Sequence, residues 1–150
     1  MSAPARSPAV RIACLCLCLA ALCAFAVSCG GRADSSPEAR MLEEGRRLYV
    51  QECQLCHGDA GTGKGALPNT PIHAPRGHTW HHPDGQLKEL ILGTLDYPGR
   101  TMPGFAEKMT GSEVDAVLEY MKSNWPAELR EAQEEISRNW LEQSRDESDQ

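Results

Sequence analysis

Apolar residues recur at helical spacing in four stretches of the chain, and one further stretch is apolar throughout. Residues 12–27 form the continuous apolar run, 16 residues long, behind Arg6 and Arg11. Over 37–53, Leu42, Gly45, Leu48 and Tyr49 fall on one helical face. Ser36 is placed as the N-cap, Pro37 at the first helical position and Glu38 in the first turn. Gly45 weakens such a helix by about 1 kcal/mol relative to alanine. The compensation expected is close approach of another helix, with Tyr49 beside the crossing. A second helix is predicted from Asp84 as N-cap, with Leu87, Leu90, Ile91, Leu92 and Leu95 as its buried face. Gly93 and the turn Tyr97-Pro98-Gly99 end it. Thr110-Gly111-Ser112-Glu113 reads as a capping box, opening a helix to about Trp125. Val114, Val117, Leu118 and Met121 make its stripe, and Tyr120 is placed to face Gly45. Pro126 restarts a helix with a narrow stripe of Leu129, Ala132, Ile136 and Trp140, and residues from about 143 are expected to be disordered. The pattern predicts four helices, the last an extra C-terminal acidic helix.

The apolar run is short for a membrane-spanning helix and follows positive charge, so residues 1–28 read as a signal peptide. Four of the seven cysteines, Cys14, Cys16, Cys18 and Cys23, lie in that run. Cys29 follows Ala26-Val27-Ser28 and precedes Gly30-Gly31, which resembles a lipoprotein cleavage box with alanine where leucine is more usual. Lipid attachment at Cys29 is therefore expected, with 29–39 as the lipidated terminus and a small, polar tether. The alternative is an ordinary signal cut with Cys29 as a spare thiol. Loss of Arg6 and Arg11 would take the formal net charge from −6 to −8. No basic patch favours nucleic acid, which an acidic surface repels. Residues 126–150 carry eight acids against three arginines, a net of −5. That segment is read either as a helix lying on the domain or as a docking arm.

Candidate chemistry centres on Cys53-Gln54-Leu55-Cys56-His57. Two thiols three residues apart followed by an imidazole are the attachment pattern for a c-type haem. On a helical turn, Cys53, Cys56 and His57 share one face, so both sulfurs can reach one side of the porphyrin with a ring nitrogen under the iron. A thioredoxin-like pair would follow a buried strand, whereas charged Glu43-Glu44-Gly45-Arg46-Arg47 precedes this one. Structural zinc requires four ligands, and no other cysteine follows. A disulfide would leave His57 unexplained. The glycine loop 58–68 approaches a phosphate-binding loop, but Gly65 stands where Ser or Thr would hold magnesium. A carbonyl near Leu67-Pro68 is expected to accept from His57 Nδ1. His73, His78, His81 and His82 crowd one loop, without carboxylates or repeated ligand spacing, and Trp80 among them is expected to cover the haem edge. Met102 lies 45 residues after His57, beside Pro103 on a loop. Its thioether suits haem iron and raises the potential. Met109, Met121 and a histidine of the cluster are its rivals.

Cys53–His57, the glycine loop, Met102-Pro103-Gly104-Phe105, the closing helix and the Gly45/Tyr49 helix together resemble the class I c-type cytochromes. The resemblance covers about residues 40–125. It implies a small all-α domain wrapped around one covalent haem c, with Cys53 and Cys56 as attachment points. It also implies His57 and Met102 as axial iron ligands, and crossing first and last helices near Gly45 and Tyr120. The expected role is electron transfer, not substrate chemistry, on the periplasmic or cell-surface side of a membrane, with a reductase or oxidase as transient partner. The alternatives are a haem subunit of a larger oxidoreductase complex, a haem sensor or enzyme with a displaceable sixth ligand, and a metal-binding accessory protein using the four clustered histidines.

Overall fold

The computed structural model describes residues 36–148. The leader, the tether up to residue 35 and Cys29 lie outside the described residues. Helix α1 spans Pro37–Leu48, and Ser36 Oγ accepts the Ala39 N–H at 3.0 Å as its N-cap. The helix does not continue regularly to Cys53, as the periodicity suggested. Tyr49–Cys53 is a π-helical turn, closed by the Gln54 N–H on the Tyr49 carbonyl, and the short helix α2 (Gln54–His57) follows. Such a turn holds one residue more than an α turn, so it changes the face that the next residues present. Here it ends at the first cysteine, three residues before the second.

A 3-10 turn at Thr79–His81 and three further α-helices complete the described chain: α3 (Asp84–Leu92), α4 (Gly111–Ser123) and α5 (Ala127–Ser148). No strand occurs among the described residues, and no helix there is long and apolar enough to cross a membrane. The domain is all-α. The main crossing is α1 against α4. A Cβ on Gly45 would collide with the Ala116 carbonyl and come within 2.9 Å of Tyr120 Cβ. The glycine thus supplies the close approach that its helical position implied. Tyr49 and Tyr120 pack beside it with ring centroids 5.6 Å apart. Leu48, Tyr49, Val114, Val117, Leu118 and Met121 form the core of this crossing, joined by Leu87 and Ile91 of α3 and by Phe105, Met109 and Trp125. Full burial of a side chain such as Val114 or Val117 contributes roughly 1.5–3 kcal/mol.

The helix ends are partly as read and partly not. Thr110 and Glu113 form the expected reciprocal capping box on α4. Asp84 does not cap α3. Pro83, with extended backbone, occupies the cap position, and Asp84 is the first helical residue. Its N–H donates to Ser137 Oγ of α5 at 2.9 Å, so the cap comes from the C-terminal helix. The Asp84 carboxylate instead accepts from Lys122 Nζ at 2.9 Å and Gln133 Nε2 at 2.7 Å. Gln133 is fully buried, and Trp140 fills the space where Gly85 lacks a Cβ. The acidic segment therefore lies on the domain. It stays helical through Ser148, where the composition of residues beyond 143 suggested disorder. Once its first turns are docked, each further helical residue adds a hydrogen bond at little entropic cost.

Candidate haem site

Cys53 is buried and Cys56 exposed, and both thiols are free. Burial, helped by the neighbouring Glu52 and Cys56, pushes the Cys53 thiol up to about 12. Before any attachment it is therefore a protonated thiol at neutral pH, unlike the activated thiolate of a disulfide oxidoreductase. Among the described residues no three His, Cys, Asp or Glu side chains gather as a metal-binding group.

His57 closes α2 and is 8% exposed. Its Nδ1 lies 2.6 Å from the Pro71 carbonyl oxygen. A carbonyl only accepts, so Nδ1 carries the proton and the Nε2 lone pair is left for a ligand. The acceptor is Pro71, not the expected carbonyl near Leu67-Pro68. The Leu67 carbonyl is engaged elsewhere, accepting the Thr70 N–H at 3.2 Å. Asn69, with φ 62, then turns the chain, and Pro71 reaches the imidazole. The preceding loop is tied to the helix by Tyr49, whose hydroxyl donates to the Gly58 carbonyl at 3.0 Å. Burial raises the Tyr49 pKa, so it remains a donor. Gly58 has φ 73, and a Cβ there would stand 2.7 Å from both Ala66 N and the Gly63 carbonyl oxygen.

The clustered histidines have distinct surroundings. His73 stacks on His57 at 4.3 Å between centroids, and its Nδ1 meets Thr79 Oγ1 at 2.8 Å. Desolvation first, and His57 second, pull its pKa down to about 3, so the ring is neutral. Trp125 Nε1 donates to the His73 carbonyl at 2.7 Å, fixing this backbone. His82 Nδ1 pairs with Gln86 Oε1 at 2.9 Å. His78 and His81 stack on one another at 4.5 Å, and Trp80 stacks on His81 at 3.6 Å while also resting on the core.

Met102 is partly buried and packs against the core cluster that contains Cys53. Its rivals Met109 and Met121 are buried members of that cluster. The loop bearing Met102 crosses the end of α3. Phe105 N–H donates to the Ile91 carbonyl at 3.0 Å and Ala106 N–H to the Leu92 carbonyl at 3.3 Å. Gly93 and Gly104 permit the crossing, since a Cβ on Gly93 would lie 2.8 Å from Gly104 Cα. Arg100 spans the same loop with its guanidinium, a role that sequence reasoning missed. Its one signal was a lone charge in the stretch 97–105. Two unbridged thiols, a buried imidazole with a free Nε2 and a loop thioether form a donor set that fits a covalently held haem.

The profile of the family described as cytochrome c oxidase, cbb3-type, subunit III, matches residues 40–121. Curated relatives include the quinohemoprotein alcohol dehydrogenase ADH-IIG of Pseudomonas putida, 30% identical over 89 residues. That match covers 57% of this chain and 11% of the relative. Another is the dehydrogenase subunit of the quinone alcohol dehydrogenase of Acetobacter aceti, 30% identical over 88 residues, which cover 56% of this chain and 10% of the relative. The chain thus aligns with only about a tenth of either relative's length. No solved structure matches it. The all-α fold, the Cys-x-x-Cys-His segment and the profile match agree: the chain belongs to the c-type cytochromes, in the cbb3-type subunit III family, and its cofactor is a covalently bound haem c.

Proposed function

We propose that this chain is a monohaem electron-transfer protein, exported across the cytoplasmic membrane and held to a membrane surface by lipid at Cys29. Cys53 and Cys56 would attach the haem, and His57 and Met102 would be the two protein donors to its iron. The observation that carries this reading is the His57 Nδ1 to Pro71 carbonyl bond at 2.6 Å, because it presents Nε2 as the ligating atom. When bound, the haem supplies the Fe(III)/Fe(II) couple. The chain's own residues hold and shield it. Pro71 keeps the Nδ1 proton in place and fixes the plane of the imidazole. Tyr49 pins the loop behind His57 through the Gly58 carbonyl. Neutral His73 stacks on His57 without adding charge beside it. Met102 would supply the second donor to the iron, in the place where oxygen or peroxide would otherwise bind. The mass of the mature protein tests the attachment. It should include one haem, lost in the Cys53→Ala/Cys56→Ala variant. A full haem complement retained covalently by that variant would reject it.

A second reading is favoured by the names of the relatives. Similar stretches occur within proteins named as alcohol dehydrogenases, so this chain could serve as the haem-bearing unit of a dehydrogenase complex. Stable co-purification of the full chain with a dehydrogenase would support this reading, and a freely exchanging monomer would oppose it.

A further inference from the structure

We infer that Arg100 is a positioning residue for Met102, holding the ligand loop to α3 through the Leu90 carbonyl, which the backbone leaves unpaired. This rests on the reading of Met102 as an axial ligand. A helix leaves its last four carbonyls without intrahelical partners. In α3 each of them is taken up. The Glu89 carbonyl accepts from the N–H groups of Gly93 and Thr94, and those of Ile91 and Leu92 accept from Phe105 and Ala106. The remaining one, Leu90, accepts from Arg100 Nη2 at 2.8 Å. The same guanidinium reaches the Leu95 carbonyl through Nη1 and the Met102 carbonyl through Nε, both at 2.8 Å. Nη2 also lies 3.3 Å from the Pro103 carbonyl.

Arg100 therefore joins the chain before the loop, at residues 90 and 95, to the ligand and its neighbour, at 102 and 103. Its recorded partners are all carbonyls. The positive charge also sits at a helix C-terminus, where the helix dipole favours it. A planar guanidinium with five fixed donors can hold four acceptors on different sides, whereas a lysine ammonium is a point charge with three rotating donors. Removing the clamp frees the backbone on both sides of Met102, so competitors for the iron meet less resistance.

The test uses the haem-loaded protein, with Arg100→Lys and Arg100→Gln variants. The readouts are the ferric sulfur–iron charge-transfer band and the affinity for added imidazole. Both variants are expected to retain haem and helix content, to weaken the band, and to bind imidazole about tenfold or more tightly, the scale of a lost charge-assisted hydrogen bond. A native protein showing the band, with variants equal to it in band and affinity, would overturn the role of Arg100 alone. A native protein without the band would overturn the ligation of Met102, and the Arg100 role with it. Should the variants fail to mature, the native protein supplies a second measurement. The Arg100 Nε–H should exchange slowly with solvent, and faster once saturating imidazole displaces Met102. Exchange unchanged by imidazole would overturn the clamp.

Discussion

The Asp84 N–H donates to Ser137 Oγ at 2.9 Å, across 53 residues of chain. One end of α3 is thus capped by α5, while its other end carries the Met102 loop. Ser137→Ala should lower stability by about 1 kcal/mol, the usual effect of losing an N-cap. Gly85→Ala should be more damaging, since its Cβ would collide with the Trp140 ring. Urea unfolding of the holoprotein measures both. Unchanged midpoints in the two variants would show that α5 contributes nothing to the domain.

The α1–α4 crossing gives a sharper prediction. Gly45→Ala improves helix propensity yet places a methyl on the Ala116 carbonyl. Overpacking of this kind costs about 1–3 kcal/mol, which exceeds the propensity gain. The expected outcome is net destabilisation, read from the thermal midpoint. Arg40→Ala, at an exposed position of the same helix, should stay within about 0.5 kcal/mol. A Gly45→Ala protein as stable as the parent would mean that the helices do not cross at this point.

Two charged groups set opposite limbs of the stability–pH curve. Glu113 accepts from the Thr110 N–H at 2.7 Å and its hydroxyl at 2.8 Å, and these bonds hold its carboxyl below the ordinary 4.5. A depressed folded value means that its contribution is complete above pH 4.5 and is lost as pH falls through the folded pKa. Lys122 behaves in reverse. Burial opposes its charge, but Glu119 and Asp84 outweigh that and raise it above 10.5. Its contribution is complete below pH 10.5 and fades as pH rises through the folded value. Urea midpoints across pH should therefore show a shallower acid limb in Glu113→Gln and a shallower alkaline limb in Lys122→Met. The same slopes in parent and variants would contradict these assignments.

Much of this arrangement was legible in particular residues. Gly45 stood out because a glycine inside a helix needs a reason, and Thr110 and Glu113 because a capping box is local. The π turn at Tyr49–Cys53 was not legible, since only the four helical residues Gln54–His57 follow it, too few for a shift in phase to show in the pattern. Asp84 looked like a cap because its true partner, Ser137, lies far along the chain. Pro71 was missed because a carbonyl acceptor is a property of backbone path, and the Leu67 carbonyl is already taken by the Thr70 N–H. Arg100 was missed for a related reason: its partners are carbonyls, which no side-chain pattern announces.

The most direct measurement is the absorption spectrum of the mature protein in its oxidised and reduced forms, beside that of Met102→Ala. The account predicts sharp c-type bands on reduction in both proteins. It also predicts a weak red sulfur–iron band in the ferric parent that disappears in the variant. A parent with c-type bands but no red band, or a variant that keeps it, would contradict His57/Met102 ligation and the plain electron carrier built on it.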